Sequence, residues 1–230
     1  MVKTITIANY NRPDCFKRCV EALRNQQGCD LDEWHIHVGI DGGGGKENEL
    51  MEVFNSIDFC NKSFRVAGVN IGINANTFWC MKEVFRCSAM NVYLEDDIVL
   101  SPDALSLADW FYSRRGKYSA LSLCNINQKV SEDLDGLYET DAFIGWGFVM
   151  GRGSWLKYAK EIWLRGESMW DNKVANNMRE LGGKNLIPFK SRATNIGNEG
   201  VHFKKDFYDK FMKGHTYLKE YKKCNFQIKK

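Results

Sequence analysis

The sequence predicts a single α/β domain built on a mostly parallel sheet with helices on both of its faces. Short apolar, β-branched runs alternate along the first half of the chain with segments whose apolar residues recur at helical spacing. Such runs are typical of strands buried on both faces, and their alternation with helices favours parallel pairing. The chain has 230 residues, of which 44% are hydrophobic, and no Pro-, Ser- or charge-rich linker divides it. We therefore expect one domain over residues 1–230.

The elements follow one another in a regular order. Lys3 to Ala8 is predicted as a strand, and Pro13 suits the first turn of a helix that ends near Gln26. Trp34 to Ile40 is the second strand. The further predicted elements are a helix at 46–56, a strand at 64–66, a helix after the turn at 70–74, a strand at 91–94, a helix from Pro102, a strand at 120–124, and helices at 154–164 and 170–181.

Charge and hydropathy exclude several classes of protein. The 32 Lys and Arg residues against 29 Asp and Glu leave a net charge of +3. A dedicated nucleic-acid binder needs a larger basic excess to neutralise phosphates, so no nucleic-acid partner is expected. No apolar run approaches the roughly 20 residues of a membrane-spanning helix, and the first residues read into a strand rather than a signal peptide. We expect no transmembrane segment and a cytoplasmic location.

The eight cysteines are expected to be free, buried thiols. No two of them form a Cys-x-x-Cys pair, and none lies beside a histidine at the spacing of zinc ligands. Cys15 and Cys19 share a predicted helix face with Phe16, Val20 and Leu23. Packing of this kind is typical of a reducing compartment.

Polar side chains follow the ends of three predicted strands. These are Asn9 to Arg12 after the first strand, Asp41 after the second, and Glu95-Asp96-Asp97 after the strand at 91–94. Because ligands bind at the carboxyl ends of strands in sheets of this type, we expect these side chains to converge. Adjacent carboxylates repel one another unless a cation compensates, and Mg²⁺ or Mn²⁺ bound in this way keeps positions free for phosphates. The alternative is an exposed acidic turn that caps the next helix.

Asp41 precedes four consecutive glycines, Gly42 to Gly45. No Gly-Lys-Ser/Thr follows them and they do not form a Gly-x-Gly-x-x-Gly turn, so neither a Walker loop nor a dinucleotide fingerprint is present. We interpret the glycines as a flexible surface loop and Asp41 as a candidate for binding a base or ribose.

These residues resemble a known family. Thr6 to Pro13, Asp41-Gly42 and Glu95 to Asp97 resemble the nucleotide-sugar half of GT-A glycosyltransferases, and Asn70 to Asn76 resembles the Asn-x-Gly turn of family-2-type members. Later motifs follow in the order of the N-acetylglucosaminyltransferase I family: Ser101-Pro102-Asp103, Leu121 to Asn125, Thr140 to Gly147, Trp170-Asp171 and Gly200-Val201-His202. The resemblance extends from about residue 4 to 203. It implies an inverting, metal-dependent transfer to a glycan acceptor, with a UDP-sugar, first of all UDP-N-acetylglucosamine, as donor.

The resemblance also implies roles for individual residues. Asp171 would be the catalytic base and Asp97 a ligand of Mn²⁺ (or Mg²⁺), with His202 either completing the metal shell or contacting the diphosphate. Glu95 and Asp96 would hold sugar and ribose hydroxyls. The other implied donor-binding residues are Ala8, Asn9, Arg12, Asp41, Asn76, Trp146 and Trp170. Residues 1–124 would bind the nucleotide-sugar and residues 125–230, with a basic C-terminal tail, the acceptor.

Several alternatives stay open at this point. Asp171 also suits the N-cap of a helix that ends at Leu181, and Trp146 can wall a sugar pocket or fill the core. The lysine-rich tail is expected to be a solvated amphipathic helix with Phe207, Phe211 and Leu218 facing inward. The stretch 190–199 resembles a segment that closes over bound donor. For the whole chain, a nucleotidyltransferase and a non-catalytic sugar-nucleotide or glycan-binding module are the competing functions.

Overall fold

The structure, a computed structural model, describes residues 3–126, 131–166, 169–197, 209, 212 and 215–229. Within these residues a nine-stranded sheet forms the centre and a two-stranded sheet lies apart from it. The strands are β1 (Lys3–Asn9), β2 (Trp34–Ile40), β3 (Asn61–Val66), β4 (Met90–Glu95), β5 (Ile98–Leu100), β6 (Ala120–Ser122), β7 (Gly136–Thr140), β8 (Phe148–Gly151), β9 (Asn185–Pro188), β10 (Ala193–Asn195) and β11 (Gln227–Lys229). The helices are α1 (Pro13–Arg24), α2 (Glu47–Asn55), α3 (Gly72–Val84), α4 (Ala104–Tyr112), α5 (Arg152–Ser154) and α6 (Trp170–Glu180).

The order of the large sheet is β11-β7-β9-β6-β8-β4-β1-β2-β3. The four strands β4, β1, β2 and β3 are parallel, as the sequence predicts. Beyond β4 the sheet is mixed, because β8 runs antiparallel to both β4 and β6. In register, Ala8 lies opposite Gly39 of β2 and Glu95 of β4, so these three strands end at the same level.

Helix α1 shows how the sequence builds the layers around the sheet. Pro13 stands at its first turn, where its missing N–H is not needed. Phe16, Cys19, Val20 and Leu23 recur every three or four residues and are all buried in the core. All eight cysteines are free, as predicted, although Cys19, Cys80 and Cys124 alone are fully buried.

The segment after β8 differs from the predicted helix at 154–164. A short helical turn, α5, continues as a π-helical turn at Trp155–Ala159, in which the Lys160 N–H donates to the Trp155 carbonyl at 2.9 Å. The wider turn accompanies burial of both Trp155 and Trp163, whose ring centroids lie 5.2 Å apart.

Over residues 215–229 the C-terminal tail departs from the expected amphipathic helix, whereas Asp209 and Met212 are helical. Phe207 and Phe211 lie outside the described residues. Leu218 is buried as predicted, but it lies outside any helix and its N–H donates to the Ser191 carbonyl at 3.1 Å. The chain then adds β11 parallel to β7 at the edge of the sheet. Among the described residues, no helix is both long enough and apolar enough to cross a bilayer.

The contact between β2 and α3 is so close that Gly39 tolerates no side chain. A Cβ atom at Gly39 would lie 2.1 Å from Cys80 Sγ and 3.0 Å from Asn76 Oδ1. Gly39→Ala is expected to lower the free energy of unfolding by about 1–3 kcal/mol, measured by urea denaturation, because overpacking forces the helix away from the sheet. In a Cys80→Ala background, which lacks the sulfur, the same substitution should lower the free energy of unfolding by a clearly smaller amount. Equal costs in the two backgrounds would contradict this explanation.

Candidate active site

The predicted convergence of strand ends is confirmed. The Asp41 N–H donates to the Asn9 carbonyl at 2.9 Å, and the Asp96 N–H donates to the Ala8 carbonyl at 3.0 Å. The backbone beyond β1 therefore joins the ends of β2 and β4, and the acidic triplet lies at the same edge of the sheet as Asp41. Ala8 contributes its carbonyl to this junction, while its methyl group is buried.

Arg12 neutralises part of the acidic triplet. Its Nη2 donates to Asp96 Oδ1, and its Nη1 donates to Asp97 Oδ2 at 2.8 Å. The Tyr10 N–H donates to Asp96 Oδ2 at 3.2 Å. Burial lowers the pKa of Arg12, but the charges of Asp96 and Asp97 outweigh burial and raise it overall. The sequence assigned Arg12 to the nucleotide and gave no sign of this ion pair.

One guanidinium does not compensate three carboxylates. Burial, followed by the charges of Asp97 and Asp96, raises the pKa of Glu95 to about 8. Burial raises the pKa of Asp96 to about 7, although Arg12 acts in the opposite direction. The ionised triplet therefore carries more negative charge than its surroundings stabilise, which favours a further cation.

One carboxylate oxygen of the acidic triplet is suited to bind a hard divalent cation. Asp97 Oδ1 is buried and has no hydrogen-bond partner within the described residues. A buried carboxylate oxygen without a donor is costly, and carboxylate oxygens are the ligands that Mg²⁺ and Mn²⁺ prefer. In the described part of the chain no three His, Cys, Asp or Glu side chains are grouped to hold a metal. Mg²⁺ is usually bound through one or two carboxylates and keeps other positions for phosphates and water. His202 lies outside the described residues.

Asp171 is connected to the triplet by the packing of its neighbour Trp170. The Trp170 ring lies 5.2 Å from the ring of Tyr93, and the Tyr93 hydroxyl donates to Glu95 Oε1 at 3.5 Å. The negative charge of Asp171 is the smallest of the causes that raise the pKa of Glu95.

Asp171 itself is half-buried, and burial raises its pKa above the usual aspartate value, partly offset by the Asn172 N–H, which donates to Oδ1 at 2.8 Å. The N-cap of α6 is Met169, so the alternative of Asp171 as N-cap is wrong. An acidic side chain in the first turn still stabilises the helix through its dipole.

Trp170 is a core residue that anchors α6. Its ring stacks on Trp163 with centroids 4.4 Å apart and an interplanar angle of 3°, and only 2% of the residue is exposed. The Trp170 N–H donates to Asn74 Oδ1 at 3.1 Å, and the Trp163 Nε1–H donates to Thr77 Oγ1 at 3.1 Å. Helix α3 therefore holds the start of α6, and with it Asp171. Because so little of Trp170 is exposed, almost none of its surface is available for contact with a sugar. Trp146, by contrast, is half-buried against the core.

Asp41 and Asn76 are both buried and hydrogen-bonded to the backbone. The Asp41 carboxylate accepts from the N–H groups of Gly42 at 3.1 Å, Ile71 at 2.8 Å and Gly72 at 2.9 Å. Asn76 Nδ2 donates to the Gly39 carbonyl at 3.1 Å. These bonds fix the turn that begins α3, so any contact to a nucleotide would be made by groups already held in place.

Asn9 differs, because it is buried and its side-chain oxygen and nitrogen both lack a partner within the described residues. A buried amide without hydrogen bonds at a strand end is a candidate for a ligand contact.

The glycine segment after Asp41 is at the surface, as predicted, but it is packed closely at two of its four positions. A Cβ at Gly42 would lie 2.2 Å from the Ala67 carbonyl oxygen, and one at Gly44 would lie 2.9 Å from Asn11 Cβ. Close packing therefore requires glycine at 42 and 44, whereas Gly43 and Gly45 are exposed and adopt positive φ values of 77° and 78°.

The stretch 190–199, which resembles a closing segment, is largely a fixed part of the fold. Arg192 is fully buried in an ion pair with Asp103, with 2.8 Å between Nε and Oδ2. β10 pairs antiparallel with β5. The Ile196 N–H donates to the Asp97 carbonyl at 2.8 Å, and a Cβ at Gly197 would lie 2.1 Å from Asp97 Oδ2. The sequence missed this contact with the acidic triplet, and residues 198 and 199 lie outside the described residues.

No protein-family model and no curated protein sequence matches the chain. Solved structures do match. The mannosyltransferase PcManGT from Pyrobaculum calidifontis, in complex with GDP-Man and Mn²⁺, gives a TM-score of 0.59 at 15% identity over 81% of this chain. TarS 1–349 from S. aureus, in complex with UDP-GlcNAc, gives 0.65 at 14% identity over 91%. GalNAc-T7 with UDP, GalNAc and Mn²⁺ gives 0.62 at 11% identity over 85%.

The match covers 54%, 64% and 44% of these three proteins, respectively. The chain thus spans about half to two thirds of the length of the structures it resembles. At these identities the likeness concerns the backbone architecture alone. The chain therefore has the GT-A fold found in these glycosyltransferases.

Proposed function

We propose that the chain is a metal-dependent, inverting glycosyltransferase that moves a sugar from a UDP-sugar to a glycan hydroxyl, with N-acetylglucosamine as the first candidate sugar. One observation carries the proposal. At the carboxyl edge of the parallel strands, Asp97 has a buried oxygen without a partner among the described residues, and the half-buried Asp171 follows Trp170, whose ring lies 5.2 Å from that of Tyr93 in β4. The order of sequence motifs supports membership of the N-acetylglucosaminyltransferase I family.

Inverting transfer places two electrostatic requirements on the site. The acceptor hydroxyl must lose a proton, and the diphosphate leaving group must have its negative charge neutralised. Mn²⁺ or Mg²⁺, when bound, supplies that neutralisation, and Asp97 is the residue that would hold it, with His202 proposed as a second ligand. Asp171 would accept the proton of the hydroxyl at its carboxylate. Its raised pKa makes it a stronger base than an exposed aspartate.

The remaining residues would bind and orient the donor. Glu95 and Asp96 would accept hydrogen bonds from sugar and ribose hydroxyls, and Asn9 would use its unpartnered amide on the nucleotide. We keep Ala8, Arg12, Asp41 and Asn76 as nucleotide contacts. Trp146 and Trp170 remain proposed for the sugar pocket, although the burial of Trp170 favours a positioning role for it. Residues 1–124 would form the donor half and residues 125–230 the acceptor half.

The solved neighbours support this choice of donor chemistry. One of them is complexed with GDP-Man and Mn²⁺, one with UDP-GlcNAc, and one with UDP, GalNAc and Mn²⁺. A nucleoside-diphosphate sugar is common to the first two, and Mn²⁺ to the first and third.

The experiment is to incubate the protein with Mn²⁺ and a panel of UDP- and GDP-sugars, and to identify the released product. Slow donor hydrolysis that liberates UDP, abolished by EDTA and restored by Mn²⁺, is the expected result. A parallel incubation contains a nucleoside triphosphate and a sugar phosphate instead, and release of pyrophosphate there would indicate a nucleotidyltransferase. Metal-dependent UDP binding without turnover of any donor, with or without added glycans, would indicate a binding module.

A further inference from the structure

The guanidinium of Arg12 is bound to the carboxylate that the proposed function assigns to the metal. Its Nη1 donates to Asp97 Oδ2 at 2.8 Å and its Nη2 donates to Asp96 Oδ1. The Arg12 side chain is 29% exposed, whereas the side chains of Asp96 and Asp97 are 1% and 6% exposed. Arg12 thus lies between solvent and two buried carboxylates.

We infer that Arg12 is an internal counter-ion that a divalent cation must compete with, and that a nucleoside diphosphate relieves this competition by giving the guanidinium another anionic partner. The inference rests on the proposed function for the identity of the two ligands. Its consequence is that metal and nucleotide bind cooperatively, with Arg12 responsible for part of the coupling.

The crowding around Asp97 is the first argument. Oδ2 accepts from Arg12 and is covered by the backbone of Gly197, where a Cβ would lie 2.1 Å away. Oδ1 is buried and has no partner within the described residues, so it is the oxygen left for a cation. A doubly charged ion at Oδ1 would share one carboxylate with a guanidinium, and the two positive charges would repel each other.

The chemistry of arginine is the second argument. A guanidinium binds carboxylate and phosphate through the same planar pair of N–H donors, and its charge is permanent. Arg12 is partly exposed, so its guanidinium can move from Asp96 and Asp97 to a diphosphate at this edge of the sheet without becoming unpaired. A metal ion that arrives alone repels the guanidinium across the Asp97 carboxylate and offers it no further anionic partner.

The inference is tested by measuring the affinity for Mn²⁺ of three proteins by isothermal titration calorimetry, with and without saturating UDP. They are the unmodified protein, Arg12→Gln, and Arg24→Gln as a matched control. Arg24 lies on the same helix and pairs with Asp58, with both side chains well exposed. We expect Arg12→Gln to bind Mn²⁺ alone about tenfold more tightly than the unmodified protein. Arg24→Gln should bind it as the unmodified protein does.

The coupling gives a second readout. In the unmodified protein UDP should strengthen Mn²⁺ binding by about tenfold or more, and Mn²⁺ should strengthen UDP binding by the same factor. In Arg12→Gln this factor should fall several-fold, because only the direct contact between metal and phosphate remains. A residue that served merely to bind nucleotide would leave the affinity for Mn²⁺ alone unchanged on substitution, and a structural residue would weaken it. Either result overturns the inference.

A measurement on the unmodified protein covers the case in which Arg12→Gln does not fold. The ¹⁵N signals of the Arg12 side chain should shift when Mg²⁺ and UDP are added together, because the guanidinium exchanges carboxylate for phosphate. Signals that stay in place at saturating Mg²⁺ and UDP would overturn the inference. Failure of the proposed function looks different: no protein in the set would bind UDP under any condition, whereas the comparison of Mn²⁺ affinities would still report on Arg12.

Discussion

Asp171→Asn is expected to lower kcat by about 10²–10⁴-fold, the contribution typical of a positioned general base. Asparagine keeps the size and shape of the side chain but does not accept a proton at neutral pH. Asp171 Oδ1 accepts a hydrogen bond from Asn172 at 2.8 Å, and an amide oxygen can accept the same bond, so α6 should keep its position. Metal-dependent UDP affinity should therefore survive the substitution.

The measurement compares kcat, KM for the donor and the affinity for UDP in three proteins. Asp58→Asn is the matched control, because Asp58 is exposed and pairs with Arg24 away from the acidic triplet. A large fall in kcat with unchanged UDP affinity, seen for Asp171→Asn alone, is the predicted pattern. Transfer by Asp171→Asn at the rate of the control would remove the assignment of Asp171 as the base.

Arg192→Met is expected to lower the free energy of unfolding by about 3–5 kcal/mol, the loss typical when one partner of a buried ion pair is removed. Arg192 and Asp103 are 0% and 1% exposed at the side chain and lie 2.8 Å apart. Arg192 also donates to the carbonyl oxygens of Lys190 and Leu134, each at 2.6 Å. Methionine fills much of the space but removes the guanidinium donor from Asp103 and from both carbonyls, and the thiol of Cys224, 3.6 Å from Asp103 Oδ2, is only a weak donor.

Urea denaturation of four proteins tests this expectation. Arg86→Met is the control, because Arg86 and Glu83 form an ion pair at 3.3 Å whose side chains are 75% and 55% exposed. Arg86→Met should lower the free energy of unfolding by no more than about 1 kcal/mol. The double variant Arg192→Met/Asp103→Leu should be more stable than Arg192→Met, because no charge then remains buried alone. Equal losses for Arg192→Met and Arg86→Met would contradict the account of this pair.

The first half of the fold is predictable from sequence because its signals are local. Trp34 to Ile40 is a strand in both the prediction and the structure, and Pro13 begins α1 as expected. Once the strands are known to be parallel, topology alone places Asp41 and the acidic triplet at one edge.

The second half is less predictable because its strands are short and pair over long distances. β6, β8, β9, β10 and β11 contain three or four residues each, too few for a period to show. β11 pairs with β7, which lies roughly ninety residues earlier in the chain. No local pattern indicates such a partner, so the sequence favours a helix at residues 227–229, where the structure has a strand.

The same distinction applies to the candidate site. Strand ends and family motifs mark Asp97 and Asp171, but not the contacts that tune them. The ion pairs of Arg12 join positions 84 and 85 residues apart, and the bond from Trp170 to Asn74 spans 96 residues. The packing of Trp170 on Trp163 is likewise a tertiary contact, which is why the resemblance implies a donor-binding residue where the structure has a core tryptophan.

A crystal structure of the protein with Mn²⁺ and UDP-N-acetylglucosamine tests the central claim most directly. We predict Mn²⁺ bound to Asp97 and to the diphosphate, with the Asp171 carboxylate on the opposite side of the anomeric carbon, one acceptor hydroxyl away. A metal bound elsewhere, or an Asp171 side chain turned away from the sugar, would contradict the proposed chemistry.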